Sequence, residues 1–109
     1  MAKCKITVLK KMINKELVDE YSSLDLSEHC LGCPHLTVGQ VFLVEDQNQV
    51  PEGFCSWAWG DIHKDVTTIM FDGSFPWIKQ KGVAIACCSD GLMPVVFKVE
   101  KVNSESTQI

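Results

Sequence analysis

Six cysteines, Cys4, Cys30, Cys33, Cys55, Cys87 and Cys88, stand in a chain of 109 residues. A cysteine thiolate ligates soft metals and attacks electrophiles. The densest group of such residues is His29-Cys30-x-x-Cys33-Pro34-His35. A C-x-x-C spacing brings two sulfurs onto one ion, as zinc knuckles and iron–sulfur loops do. It is half of a four-ligand zinc site, so the remaining ligands would come from Cys55, Cys87 or Cys88, or from His29 or His35. Redox C-x-x-C motifs open a helix after a strand. Here Pro34 follows and a strand comes soon after, which speaks against a thioredoxin-like motif. The competing reading of each cysteine is a small buried hydrophobe, a role in which free cysteine is common.

The elements around these residues follow from periodicity. Lys3 to Lys10 alternates, with Cys4, Ile6 and Val8 on one face, and predicts a half-buried strand. Asn14 predicts the cap of a short helix through Tyr21, with Leu17, Val18 and Tyr21 on one face. Ser22 to Pro34 is expected as a loop. Val38 to Glu45, entered through Gly39, is apolar on both faces and predicts a strand covered on both sides. After Pro51-Glu52-Gly53, a helix is expected from Phe54 to Phe71. Its apolar stripe is Cys55, Ala58, Trp59, Ile62, Val66, Ile69 and Met70, and Asp72-Gly73 ends it. Phe75-Pro76-Trp77 anchors a loop, and Trp57, Trp59 and Trp77 are expected as core and interface anchors. Val83 to Cys88 and Val95 to Val102 predict two strands joined through Ser89-Asp90-Gly91. The order β-α-β-α-β-β implies one α+β domain over residues 1–102, two helices on a mainly antiparallel sheet, with a frayed tail at 103–109.

These placements rank the cysteines. Cys55 falls in the first turn of the long helix, where unpaired N–H groups and the positive dipole end stabilise a thiolate. Cys87 and Cys88 are adjacent on a strand and point to opposite faces. With Val83, Ile85 and Cys87 toward the core, Cys88 faces out or into a second layer. Asp61 and Asp65, at i and i+4 with His63 between them, have the spacing to share a cation but are expected on a solvated face. No Ser-His-Asp signature, phosphate loop, dinucleotide fingerprint or H-E-x-x-H is present.

Composition excludes several classes. Apolar residues are 46% and charged residues 22% of the chain, as in a folded globular protein and unlike a disordered one. No apolar run approaches the ~20 residues of a membrane span. The net charge is −4 and all ten basic residues are lysines. Without a basic surface or a guanidinium fork, nucleic-acid binding is not expected. The first residues, Met1 to Val8, show no apolar segment with a cleavage site, so a reducing cytoplasm is expected. There, clustered cysteines bind metal or do redox chemistry more often than they cross-link. A sheet edge and three tryptophans in so small a chain point to a homo-oligomer.

The motifs resemble a family of small, uncharacterised bacterial and archaeal proteins of about 100 residues. The resemblance runs through Lys3-Cys4-Lys5-Ile6-Thr7-Val8-Leu9, Cys33-Pro34, Gly39-Gln40-Val41-Phe42 and Pro51-Glu52-Gly53-Phe54-Cys55 to Ala58-Trp59. It ends with Ala84-Ile85-Ala86-Cys87-Cys88-Ser89-Asp90-Gly91 and Pro94-Val95-Val96-Phe97-Lys98. The resemblance implies no activity. It places Cys4, Cys33, Cys55, Cys87 and Cys88 in the family pattern and leaves Cys30, His29 and His35 outside it. Members often carry arginine where this chain has Met93.

Three functions follow. The first is a metal-binding protein holding zinc or an iron–sulfur cluster through Cys33, Cys55, Cys87 and Cys88. The second is a structural or interaction module with buried cysteines. The third is a thiol enzyme or redox protein with Cys55 as its catalytic nucleophile. For the first, Cys33, Cys55 and at least one of Cys87 and Cys88 must converge.

Overall fold

Strand β1 (Lys3–Lys11) turns Cys4, Ile6 and Val8 into the interior and its lysines outward. Strand β4 (Val95–Val102) repeats the pattern with Val95, Phe97 and Val99. The two pair antiparallel, Ile6 opposite Val99 and Val8 opposite Phe97, with a bulge between Val8 and Lys10. Strand β2 (Val41–Val44) joins the free side of β1, and β3 (Val83–Cys87) joins β4. The sheet order is β2-β1-β4-β3, antiparallel throughout. Helix α1 (Lys15–Tyr21) follows β1, and helix α2 (Ser56–Met70) lies against β3, β4 and β1. The computed structural model thus gives an α+β fold of order β-α-β-α-β-β, describing residues 3–23 and 35–102. The predicted tail at 103–109 lies outside the described residues. No helix among the described residues is long and apolar enough to cross a membrane.

The stripe read from sequence is the one α2 buries: Ala58, Ile62, Val66, Ile69 and Met70 all enter the core. The helix ends in a Schellman motif, in which Gly73 N–H donates to Thr68 O at 2.8 Å and Asp72 N–H to Ile69 O at 3.2 Å. Asp72, not the glycine, takes the left-handed conformation, at φ 67°. Gly73 is required for space instead, since a Cβ there would lie 2.9 Å from the Thr68 carbonyl oxygen and 2.6 Å from its Cγ2. Gly73→Ala is therefore expected to cost about 1–3 kcal/mol, as overpacking does. Urea unfolding checks it; an unchanged midpoint would mean the turn opens freely.

Four sequence expectations need correction. The two apolar faces of Val41–Val44 predict a covered strand, yet β2 is an edge strand with Val41 53% and Leu43 44% exposed. Only Phe42 and Val44 face α2's side of the sheet. Residues Val38 and Gly39 form a turn, with Gly39 at φ 90°. Asn14 occupies the N-cap position of α1, but its side chain donates to the Gly91 carbonyl instead of capping the helix. In α1 only Val18 is buried, while Leu17 and Tyr21 are exposed.

The sheet face away from α2 carries Lys5, Lys98 and Glu100 at its centre. Glu100 takes an ion pair from Lys5 at 3.0 Å and another from Lys98 at 3.3 Å. Burial alone would raise the Glu100 carboxyl, but hydrogen bonds from the two lysines hold it below the usual carboxylate range. Val41, Leu43 and Ile85 stand exposed around these charges.

Candidate functional site

The chain enters α2 through a tight turn. Gly53 sits at φ 81°, and Phe54 N–H donates to Pro51 O at 3.1 Å. Phe54 is then locked in the core, its ring 4.9 Å from Phe42 and 5.4 Å from Phe97. This anchor sets the next residue, Cys55, as the N-cap of α2, one residue ahead of the predicted first turn. Its carbonyl accepts the Trp59 N–H at 2.9 Å, but its sulfur makes no capping hydrogen bond. Cys55 is half-buried.

Cys88 lies one residue beyond β3 and continues the ladder. Its N–H donates to Val95 O at 3.0 Å, and its sulfur accepts the Val95 N–H at 3.2 Å. The turn that follows is tied to α2, because Ser89 N–H donates to Asp61 Oδ2 at 2.8 Å. Within the turn, Leu92 N–H donates to Asp90 Oδ1 at 3.0 Å. The start of α2 and the end of β3 are thereby held side by side. Cys55 and Cys88 line one cavity of about 390 Å³, together with His35, Leu36, Trp57, Ala58, Asp90, Met93 and Val95.

The vicinal pair divides in the opposite sense from the sequence expectation. Ala84 and Ala86 pair with Val99 and Phe97 and face the helix, so Cys87, opposite Val96, faces the open side and is exposed. Periodicity assigned the large residues Val83 and Ile85 inward. Alanines take the inward positions where α2 packs over β3, since small side chains let the helix approach closely. Partial burial, the neighbouring Cys88 thiol and Asp61 together push the Cys87 thiol up, so its thiolate is disfavoured.

The other candidates resolve differently. Cys4 is fully buried in the core, and burial, reinforced by the Glu100 charge against a hydrogen bond from the Glu100 backbone, pushes its thiol up to about 12. It is packing, not chemistry. His29, Cys30 and Cys33 lie outside the described residues, so the full convergence of Cys33 with Cys55 is beyond them. His35 is exposed and lines the cavity. Asp65 is buried beside Lys64 at 3.0 Å, Asp61 serves the turn, and His63 Nε2 lies 2.6 Å from the Gln47 carbonyl oxygen, so these three do not form a solvated face. Trp57 and Trp77 are exposed, and Trp59 is half-buried against the core.

Among the described residues, no group of three His, Cys, Asp or Glu side chains is arranged to hold a metal ion. Two cysteines line one cavity, but a four-ligand zinc site is not present among the described residues. Sequence reasoning missed Trp57 and Met93 as cavity residues. No sequence signal marked Met93, which lies in the short turn Gly91-Leu92-Met93-Pro94, outside any strand or helix stripe, and is buried there. Comparison of the chain with protein families, curated proteins and solved structures gave no match.

Proposed function

We propose that this chain is a small metal-binding protein of a reducing compartment, with its site at the cavity walled by Cys55 and Cys88. The observation that carries this reading is that these two cysteines, distant in sequence and on different elements, line the same cavity. His35 lines it as well, and Cys33 precedes His35 by two positions in the sequence. Cys33 is the further thiolate in the proposal, and zinc or an iron–sulfur cluster is the group that such a donor set takes. Of the vicinal pair, Cys88 is the proposed ligand. Cys87 faces away from the cavity side, and its thiolate is disfavoured by its surroundings.

Elemental analysis of anaerobically purified protein, combined with thiol counting before and after chelation, tests this. The expected result is bound metal, thiols masked until chelator is added, and loss of the metal in Cys55→Ser and Cys88→Ser but not in Cys87→Ser. Metal-free protein whose thiols react only after denaturation would instead support the structural module. Early titration of Cys55 in metal-free protein would support a thiol enzyme.

A further inference from the structure

A third sulfur-bearing residue lines the cavity. Met93 is 8% exposed yet stands apart from the cluster of buried residues that forms the core. It lines the cavity with Cys55 and Cys88. A thioether carries no charge and no proton. It is a poor ligand for hard or borderline ions, and with thiolates it selects Cu(I). Zinc asks for four N, S or O donors in a tetrahedron, whereas Cu(I), a closed-shell d¹⁰ ion, is satisfied by two or three soft ligands.

Taking the preceding reading of this cavity as a metal site, we propose that, beside the zinc or iron–sulfur occupancy that draws on Cys33, the cavity takes a single Cu(I), held by the thiolates of Cys55 and Cys88 and the thioether of Met93. Binding displaces both thiol protons to solvent and forms two copper–thiolate bonds and one weaker thioether bond. Copper stays Cu(I) throughout. The bound unit carries one net negative charge. The N-terminus of α2 offsets it, because Cys55 is the N-cap of that fifteen-residue helix and Trp57 and Ala58 of its first turn line the same wall. The Cys55 sulfur is not engaged in capping, so it is free to ligate. The Cys88 sulfur already accepts the Val95 N–H at 3.2 Å, a bond that strengthens when the acceptor is a thiolate.

Leu36, Ala58 and Val95 supply apolar walls. Of the harder donors there, His35 is exposed and Asp90 Oδ1 accepts the Leu92 N–H.

The test is anaerobic titration of the reduced full chain with Cu(I) in competition with bicinchoninate, beside titration with zinc against a chromophoric chelator. We expect tight Cu(I) binding that is lost in Cys55→Ser and Cys88→Ser. Met93→Leu conserves volume and should keep the fold. It is expected to weaken Cu(I) by at least about tenfold, the typical cost of removing a supporting group at a metal site, and to leave zinc unchanged. Cys33→Ser separates the two proposals, because it should lower zinc affinity and leave the Cu(I) bound at Cys55 and Cys88 in place. Cu(I) binding that ignores Met93→Leu, or that survives loss of Cys55 and Cys88, overturns the copper assignment. If zinc still depends on Cys55 and Cys88 in that case, the metal-site reading stands without it. If neither metal binds, both proposals fall.

Discussion

Truncating Phe97 to alanine will lower stability by about 3–5 kcal/mol, the usual cost of deleting a buried phenylalanine. Phe97 is fully buried in β4, opposite Val8 on one side and Ala86 on the other, with its ring 5.4 Å from Phe54. Phe54 fixes the start of α2, so the cavity left by Phe97 lies where sheet and helix meet and cannot close without moving one of them. Against a typical total of about 5–15 kcal/mol, such a loss is a large fraction of the whole. Urea unfolding of Phe97→Ala beside Ile85→Ala measures it. Ile85 is half-exposed on the open face of β3, and its truncation should cost a small part of the Phe97 value. Equal losses at the two sites would show that the open face is covered as fully as the core.

The second large effect is alkaline. The Cys4 thiol is pushed from 9.0 up to about 12, chiefly by burial. Below about pH 9 the thiol is protonated in both the folded and the unfolded chain, and its full contribution is present. Above that, the unfolded chain loses the proton while the folded one keeps it. Stability then falls by about 1.4 kcal/mol per pH unit until the folded thiol itself ionises near 12. The quantity to measure is the stability of the native chain minus that of Cys4→Ala at each pH, which isolates this one thiol. That difference should be flat up to about pH 9 and then decline toward pH 12. Parallel profiles across the window would show that the Cys4 thiol is not held away from water.

Much of this was legible in the sequence, and the failures have a common cause. The long helix was read at 54–71 and spans Ser56–Met70, because fifteen residues give the 3.6-residue period room to declare itself. The β3–β4 hairpin and the alternation of β1 were equally plain. What alternation cannot report is a strand's neighbours. Val41 and Leu43 are apolar but face the open side of an edge strand, so β2 looked covered. In β3 the inward positions belong to Ala84 and Ala86, and residue size pointed the wrong way. That error carried through to the vicinal cysteines, whose roles depend on the strand's phase. That Cys55 and Cys88 line one cavity was approachable from the sequence because both sit at element ends, where functional residues gather. Met93 was not, because nothing in a short turn tells whether its side chain lies in or out.

The central pair of the sheet joins the earliest described strand to the latest, with Lys3 opposite Val102. Neither β1 nor β3 can complete its surroundings until β4 arrives, since β1 needs a partner on both edges and β3 reaches the sheet only through β4. During synthesis the apolar faces of β1 and α2 are therefore made long before the strand that seals them has left the ribosome. The contact that closes the domain spans almost the whole described chain, and long-range closure of this kind slows folding relative to helical domains of equal size. Chaperone protection of the nascent chain thus matters most in the interval after α2 emerges and before β4 does.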